Sequence, residues 1–377
     1  MKTTMAFMVA AITVVSACGD GPTELGNGPG ERPAEDLGVP ATATGVAAEQ
    51  SWLAWSPDGH EVFFLGTGPT PDLMAVRVAD GAMRTVTSGP TRTDRFYVSL
   101  DGQWVYRTRN ASHPPVDSHV FDRIPTAGGP AETIAENVTG FLFTAWVDPP
   151  VAPDGNLLAY AARGEKGDPD DARIGTRDTL YLYDLASKER TAIGFGVPLA
   201  FSPDGSQLAY DERPCDESGL WTNPCDTYVV DLGTDMRRHV PWDKDDNGKQ
   251  PWWDEGGLKS FASTHDFDTA DSPLQWIVRN LSLETVTIAY SLTLTKEMPH
   301  PGGMAHCQAG TRVGGWITDL EGEFSGIRVF DLQAERDHLA VVNRTGEGWS
   351  LAFSWDGRRI AYLIDRGVFV QELPASF

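Results

Sequence analysis

"LAFSPDGSQLAY", residues Leu199 to Tyr210, recurs along the chain in near-copies. Two of them are "WLAWSPDGHEVFF" (Trp52 to Phe64) and "LAFSWDGRRIAYL" (Leu351 to Leu363). In each copy, apolar residues alternate on both sides of an Asp-Gly tip, which predicts two short strands joined by a tight turn. We expect the Asp to hydrogen-bond nearby backbone and the Gly to take the positive φ that closes the turn.

The turn glycine marks the period of the repeat. It stands at Gly59, Gly102, Gly155, Gly205 and Gly357, and the last interval is three times the others. Two degenerate copies are therefore expected in between, at Gly256 and Gly310. This gives seven copies of roughly 50 residues, a period typical of repeat architectures.

A second hairpin recurs independently, later in each copy. It is clearest at Leu180 to Ile193, Thr227 to Val240 and Ile327 to Val342, and weaker versions begin at Leu73, His119, Trp276 and Val368. That count is also seven. We call the seven copies units 1 to 7.

Each unit therefore predicts four short antiparallel strands: A, the Asp-Gly turn, B, a variable loop, C, a short turn, and D. The 39 Gly and 26 Pro of the 377 residues fit an all-β chain rich in turns. A four-stranded sheet cannot bury enough surface alone, so the sheets must stack around an axis as a seven-bladed β-propeller. The last unit stops after its third strand, and residues 40 to 44 are expected to complete that blade.

The repeated segment resembles that of the PD40, or TolB-like, propellers, whose WD40-like blades carry a similar "FSPDGxxLAY". The resemblance covers residues 41 to 377. It implies the fold but no particular function, because this scaffold serves many roles. The chain is not expected to be TolB itself, since residues 19 to 40 are too few for the α/β domain that precedes the TolB propeller.

The N-terminus has the features of an export signal. Lys2 precedes the apolar run Ala6 to Val15, and "VSAC" ends at Cys18. These residues resemble the lipobox of bacterial lipoproteins, which implies lipidation of Cys18 and a membrane anchor. We expect a signal peptide at 1–17, a Gly/Pro-rich tether at 18–40 and the propeller at 41–377. Gly19 after Cys18 favours the outer membrane, with the body facing the periplasm or the cell surface.

The formal net charge of −23 argues against nucleic acid as a partner, because an anionic surface repels phosphates. Cys215 and Cys225 are close enough in sequence to form a disulfide in an oxidising compartment. Cys307 takes the place that Ser202 and Ser354 hold in other units. A small buried thiol is expected there.

The units differ mainly in segments expected on one side of the disc, the side of the B–C loops and the D-to-A links. Five of these segments, in units 3 to 6, are acidic: 163–178, 211–226, 241–250, 264–273 and 318–324. Long loops on a rigid scaffold often bind ligands, although acidic loops can also serve only solubility. The predicted binding face comprises Asp168, Asp170, Asp171, Asp216, Glu217, Trp221, Trp242, His265, Asp266 and Asp268.

Two segments contain candidate metal ligands. Asp243, Asp245 and Asn247 form the Asp-x-Asp-x-Asn-Gly start of a calcium loop, but the same residues also suit a plain turn. Asp254 stands at the twelfth position, yet strand A would separate it from Asp243. The second cluster, residues 298–307, holds His300, His306 and Cys307 as soft-metal ligands, and its structural alternative is packing.

The sequence therefore favours a lipid-anchored envelope protein that binds a protein or a polysaccharide through the acidic face, with Ca²⁺ as a candidate cofactor. No nucleophile–base pair identifies an active site, and no catalytic residue is assigned. The alternative is a metal-assisted polysaccharide lyase or hydrolase at the mouth of the channel, which would require converging His or carboxylate groups.

Overall fold

The computed structural model describes residues 52–67, 71–88, 93–110, 119–138, 151–162, 179–212, 226–240, 246–254, 257–264, 274–281, 285–292, 297–298, 305–307, 311–319, 325–334, 336–343, 350–364 and 366–374. All of them belong to one compact unit, Asp36–Phe377. Within these ranges the secondary structure is β-strand, bridge and turn, with no helix. The all-β prediction is confirmed.

The first half of the described chain forms two sheets, in which strands pair antiparallel in sequence order. Strands β1–β4 are Leu53–Trp55, Glu61–Leu65, Leu73–Arg77 and Met83–Thr87. Strands β5–β8 of unit 2 are Thr93–Val98, Trp104–Asn110, His119–Pro125 and Glu132–Val138, and β9–β11 of unit 3 are Leu157–Ala162, Thr179–Asp184 and Arg190–Phe195. Only the pair Val138 and Ala162 joins β8 to β9.

The second half forms four sheets. Strands β12–β15 are Val197–Phe201, Gln207–Glu212, Asp226–Asp231 and Arg237–Val240. Strands β16–β19 are Asp246–Asp254, Gly257–Thr264, Leu274–Asn280 and Thr285–Leu292. Strands β20–β24 are Glu297–Met298, Ala305–His306, Arg312–Asp319, Ser325–Asp331 and Arg336–Asn343, and both β20 and β21 pair with β22. Strands β25–β27 are Leu351–Phe353, Arg359–Ile364 and Gly367–Glu372.

The Asp-Gly turn has the predicted chemistry. In unit 4, Ser202 Oγ donates to Asp204 Oδ1 at 2.7 Å, and Asp204 Oδ1 also accepts from Ser206 N at 3.0 Å. Gly205 N donates to Ser202 O, and Gly205 has a φ of 71°. These hydrogen bonds lower the pKa of Asp204 to about 2, the bond from Ser202 having the largest effect. The same Ser–Asp bond occurs at Ser56, Ser99 and Ser354.

The C–D turn lies at the same end of each sheet as the A–B turn. In unit 4, Leu232 N donates to Ser206 O, and the equivalent bonds join Val78 to His60 and Leu185 to Asn156. Asp231 Oδ1 accepts from Gly233 N and Thr234 N, so its carboxylate shapes the second turn. The prediction that both turns occupy one end is confirmed for these units.

Units 3 and 5 depart from the predicted pattern, and unit 7 follows it. In unit 3, Ala152 replaces the serine, and the inner strand is reduced to an isolated bridge between Val151 and Leu158. In unit 5, Gly257 has a positive φ of 105°. The next residue, Leu258, accepts a hydrogen bond at its carbonyl from Leu281 N. In unit 1 the equivalent bond runs from Val78 N to His60 O. Asp254 pairs with Gly257, so the predicted turn glycine, Gly256, lies between paired residues but outside the described part of the chain. Unit 7 has three strands, as expected, while residues 40 to 44 lie outside the described ranges.

Each sheet buries both of its faces. On β2, Phe63 packs with Phe96 and Val105 of unit 2, while its neighbour Phe64 packs with Ala361 and Val368 of unit 7. Similar clusters join the other neighbours: Phe121 with Leu158, Leu180 with Phe201, Val240 with Leu258, and Trp316 with Leu351. The ring of Trp252 in unit 5 stacks on that of His306 in unit 6, with centroids 4.8 Å apart. Each unit thus contacts the next, and the last contacts the first.

We expect Gly155→Ala to lower the free energy of unfolding by about 1 to 2 kcal/mol, the cost of left-handed backbone for a residue with a Cβ. Gly155 has a φ of 73°, and no atom lies within 4 Å of the position that a Cβ would take, so no clash contributes. Urea unfolding measures the change. Gly155→Asn should recover part of the loss, and Gly233→Ala, without a positive φ, should be neutral. An equal effect of both alanine substitutions would contradict this account.

We expect Asp204→Asn to lower the melting temperature at pH 7 but to have progressively less effect below pH 4. The folded-state pKa of Asp204 is about 2 and the ordinary value is 3.8, so the stabilisation is present above pH 4 and is lost as the pH falls towards 2. Melting curves between pH 2 and pH 7 test this. Ser202→Ala, which removes the strongest hydrogen bond, should reduce the same pH-dependent effect. A difference in melting temperature between the two proteins that is the same at every pH would contradict this role of the Asp204 carboxylate.

Candidate functional site

The end of the sheets opposite the two turns is the candidate site, and we call it the loop-bearing end. The acidic segments begin and end there, between strand residues that pair with each other. Ala162 pairs with Thr179, Glu212 with Asp226, Thr264 with Gln275, and Thr318 with Ser325. Antiparallel pairing therefore brings both ends of these four segments to one end of their sheets, while the fifth segment, 241–250, links two sheets.

Neighbouring units have the same orientation. A Cβ added at Gly205 would lie 3.6 Å from Pro153 of the preceding turn, and one at Gly102 would lie 3.4 Å from Pro57. Trp253 Nε1 of unit 5 donates to Ala200 O on the inner strand of unit 4, at 3.2 Å. Because these turns and inner strands lie side by side, the loop-bearing ends of the joined units lie on one side.

The predicted binding residues lie outside the described residues: Asp168, Asp170, Asp171, Asp216, Glu217, Trp221, Trp242, His265, Asp266 and Asp268. The same is true of Cys18, of Cys215 and Cys225, and of Asp243 and Asp245. The predictions for these residues stay predictions. The acidic segments together carry 19 acidic and 7 basic residues, so they hold −12 of the net charge of −23.

Of the predicted calcium ligands Asp243, Asp245 and Asn247, only Asn247 lies in the described part of the chain. It lies in β16 opposite Ser263, and the register shifts between Asn247 and Gln250. Strand β16 begins at Asp246, so the link predicted for residues 241–250 is shorter than expected. Asp254 ends the same strand, opposite Gly257. Asp246 and Asp254, at the two ends of β16, are separated by eight residue steps of strand, roughly 26 Å. Asp243 lies outside the described residues, so the expectation that it cannot share an ion with Asp254 stays a prediction.

A polar pair, of which Thr227 is buried and Asp211 half-buried, occupies the loop-bearing end of unit 4. Asp211 Oδ1 accepts a hydrogen bond of 2.5 Å from Thr227 Oγ1, and the Thr227 side chain is buried. Gly196 approaches the Asp211 carbonyl so closely that a Cβ there would collide with it. Gly196 also has a φ of 134°, which other residues rarely adopt. Sequence reasoning missed this pair because Thr227 is 16 positions away from Asp211.

Cys307 occupies the serine position of the turn, as predicted. It is fully buried and free, and Arg312 N donates to its Sγ at 3.2 Å, just as Arg359 N donates to Ser354 Oγ. Thr311 Oγ1 lies 3.4 Å from the same sulfur. These contacts agree with a structural thiol, while His300 lies outside the described residues.

The described part of the chain contains no ready-made metal centre. Within it, no three His, Cys, Asp or Glu side chains converge where they could hold a metal ion. The same residues include no helix with the length and apolar composition needed to cross a membrane.

Solved structures provide the comparison with known proteins. An oligogalacturonate lyase from Vibrio parahaemolyticus superposes with a TM-score of 0.61 at 11% identity, over 88% of this chain and 92% of its own. An oligogalacturonate lyase in complex with manganese superposes with a TM-score of 0.59 at 15% identity. The match covers 86% of this chain and 89% of the lyase chain. The chain shares their β-propeller fold. TolB from Acinetobacter baumannii superposes with a TM-score of 0.46 at 12% identity. The match covers 80% of this chain and 67% of the TolB chain. No family profile and no curated protein matches the sequence.

We expect Cys307→Ser to preserve stability and Cys307→Val to lower the free energy of unfolding by about 1 to 3 kcal/mol. Serine keeps an acceptor for Arg312 N, as at Ser202 and Ser354, whereas valine leaves a buried N–H without it. Chemical denaturation of both variants measures the difference. A valine variant as stable as the serine variant would show that the thiol acts only by filling space.

Proposed function

We propose that this chain is a lipid-anchored protein of the bacterial cell envelope that binds a partner through acidic loops on a seven-bladed β-propeller. The lipid is attached at Cys18, and the preferred location is the outer membrane. The partner is a protein or an envelope polysaccharide that presents cationic groups. Cys215 and Cys225 form a disulfide within the acidic segment of unit 4.

The seven-bladed ring is supported by the sequence of contacts between units. Unit 7 packs on unit 1 through Val368 and Phe64, and Trp55 Nε1 of unit 1 donates to Ala352 O of unit 7 at 3.1 Å. Trp253 and Ala200 make the equivalent bond between units 5 and 4. The first and last units thus meet as internal neighbours do. Residues 40 to 44 provide the fourth strand of unit 7.

The observation that carries the binding proposal is the convergence of acidic segments at the loop-bearing end. They account for about one sixth of the residues and half of the net charge. Carboxylates concentrated on one side of a rigid scaffold attract a cationic partner and speed its association. Trp221 and Trp242, within the same segments, add apolar contact area of the kind found at binding hot spots.

Ca²⁺ at Asp243, Asp245 and Asn247 belongs to the same proposal. Carboxylate and amide oxygens are the ligands that this cation prefers. With Asp254 removed from the set, acids of a neighbouring segment, Asp266 or Asp268, complete the coordination. A bound cation would also bridge the acidic face to an anionic group of a polysaccharide.

The test is a calorimetric titration of the full chain with a hexalysine peptide, with and without Ca²⁺. We expect saturable binding that weakens as salt is added, because exposed charges are screened. Neutralising Asp216, Glu217, Asp266 and Asp268 as amides should weaken it about tenfold or more. The double variant Asp243→Asn, Asp245→Asn should remove the heat of Ca²⁺ binding.

The matched control neutralises four acids at the turn end: Asp80→Asn, Glu189→Gln, Asp235→Asn and Glu372→Gln. These residues are exposed and lie on or beside the turns, so the change in net charge is identical but its location differs. Equal weakening by both quadruple variants would overturn the acidic face, since only net charge would then matter.

A second candidate function is a metal-assisted polysaccharide lyase or hydrolase at the mouth of the channel. The observation that favours it is the superposition on two oligogalacturonate lyases over nine tenths of their length. Ultraviolet absorbance from new carbon–carbon double bonds, on incubation with oligogalacturonate and Mn²⁺, would establish a lyase and reject a purely binding role.

A further inference from the structure

Unit 2 carries a buried ion pair at a cross-strand position that three other units fill with stacked aromatic rings. Those pairs are Tyr160 with Tyr181, Tyr210 with Tyr228, and Tyr362 with Phe369, with centroids 5.5 to 5.8 Å apart. In unit 2 the equivalent pair is Arg107 on β6 and Asp122 on β7, joined by a 3.4 Å ion pair. The repeat thus replaces a hydrophobic contact by a buried ion pair.

The replacement is unfavourable for folding. Asp122 is only 1% exposed and Arg107 8%, and burial lowers the pKa of the Arg107 guanidinium. Buried ion pairs generally stabilise a protein no more than well-packed apolar residues of similar volume. Where one repeat departs from a pattern that packs well in its siblings, function is the usual reason.

Arg109 completes the cluster. Its Nε donates to Asp122 Oδ2 at 2.6 Å, the oxygen that Arg107 also contacts, and Asp122 Oδ1 accepts from Thr133 Oγ1 at 2.9 Å. Both carboxylate oxygens are therefore occupied. Two guanidinium groups share this one carboxylate, so the three side chains carry a net charge of +1.

The guanidinium of Arg109 is held on one side by Asp122, and its other side meets no hydrogen-bond acceptor among the described residues. Its Nε is bound to Asp122, whereas its two terminal amino groups donate to no group among the described residues. The side chain is 22% exposed, and Arg109 is the penultimate residue of β6, at the loop-bearing end. A planar pair of N–H donors fixed in advance matches the two oxygens of a carboxylate and loses little entropy on binding.

We propose that Arg109 binds a carboxylate group of a ligand, with Asp122 as the residue that positions its guanidinium. Val105 and Ile124, on the same faces of β6 and β7, pack against Phe63 and Leu73, so the site lies between units 1 and 2. This inference goes beyond the proposed function, which concerns cationic partners of the acidic segments in units 3 to 6. A ligand that bears both charges would contact both regions.

The test observes arginine Nε–H resonances of the full chain labelled with ¹⁵N-arginine. The Arg109 resonance is assigned by its absence in Arg109→Lys. Acetate is titrated against chloride at constant ionic strength. We expect the Arg109 signal to shift and saturate as acetate is added. The dissociation constant for acetate should be about 10- to 100-fold lower at Arg109 than at the exposed Arg358, because charge-assisted hydrogen bonds are strong.

The signal of Arg84 in the same spectrum is the control. Arg84 donates two hydrogen bonds to the Glu61 carboxylate, so its signal should not respond to acetate. In Asp122→Asn, the folded state is checked by the Arg84 signal, and the acetate affinity of Arg109 should fall. A response at Arg109 no stronger than at Arg358 would overturn the site. Tighter binding of sulfate than of acetate would overturn the choice of carboxylate.

Discussion

The burial of both faces of every sheet is the constraint on which the rest of this structure depends. Phe63 and Phe64 are neighbours on one strand, each is 1% exposed, and they point into different interfaces. Burying a side chain of this size stabilises the fold by about 1.5 to 3 kcal/mol. A sheet with two such faces is therefore unstable without a neighbour on each side, and the units can satisfy this only by continuing until the last meets the first.

This constraint explains why the turns are so uniform. The inner strands and turns of adjacent units contact each other, as Pro57 does with Gly102 and Pro153 with Gly205. Arg312 of unit 6 donates to the carbonyls of Gly357 and Pro374 in unit 7. A turn of another shape would disturb its neighbour. The variable segments lie at the opposite end of the sheets, where they do not interrupt the turns.

Uniform repeats also make exceptions informative. At Cys307 the exception is conservative, because sulfur accepts the same backbone hydrogen bond as the serine oxygen. At Arg107 and Asp122 it is not, because charge replaces stacked rings in a buried position. The first exception preserves the structure of the turn. The second introduces charge that the scaffold does not need, next to an arginine whose terminal amino groups bond to no described residue.

What could be predicted from the sequence was local. The hydrogen bonds of the Asp-Gly turn join residues at most five positions apart, so their side chains and spacing determine the turn wherever it occurs. The spacing of the repeat also predicted that Cys307 takes the serine position of its turn and that unit 7 has only three strands. In unit 5 two adjacent glycines fit the spacing, and the positive φ of Gly257 is a feature that the spacing did not predict.

Contacts between distant residues were decided by the tertiary structure. Asp122 meets Arg107 because the register of β6 and β7 places them opposite each other, and Trp252 meets His306 because two sheets approach face to face. Neither register nor approach is encoded by a short motif; both follow from how all the faces pack together. The sequence by itself therefore determined the repeating unit and its turns, while packing decided which charges and rings share a site.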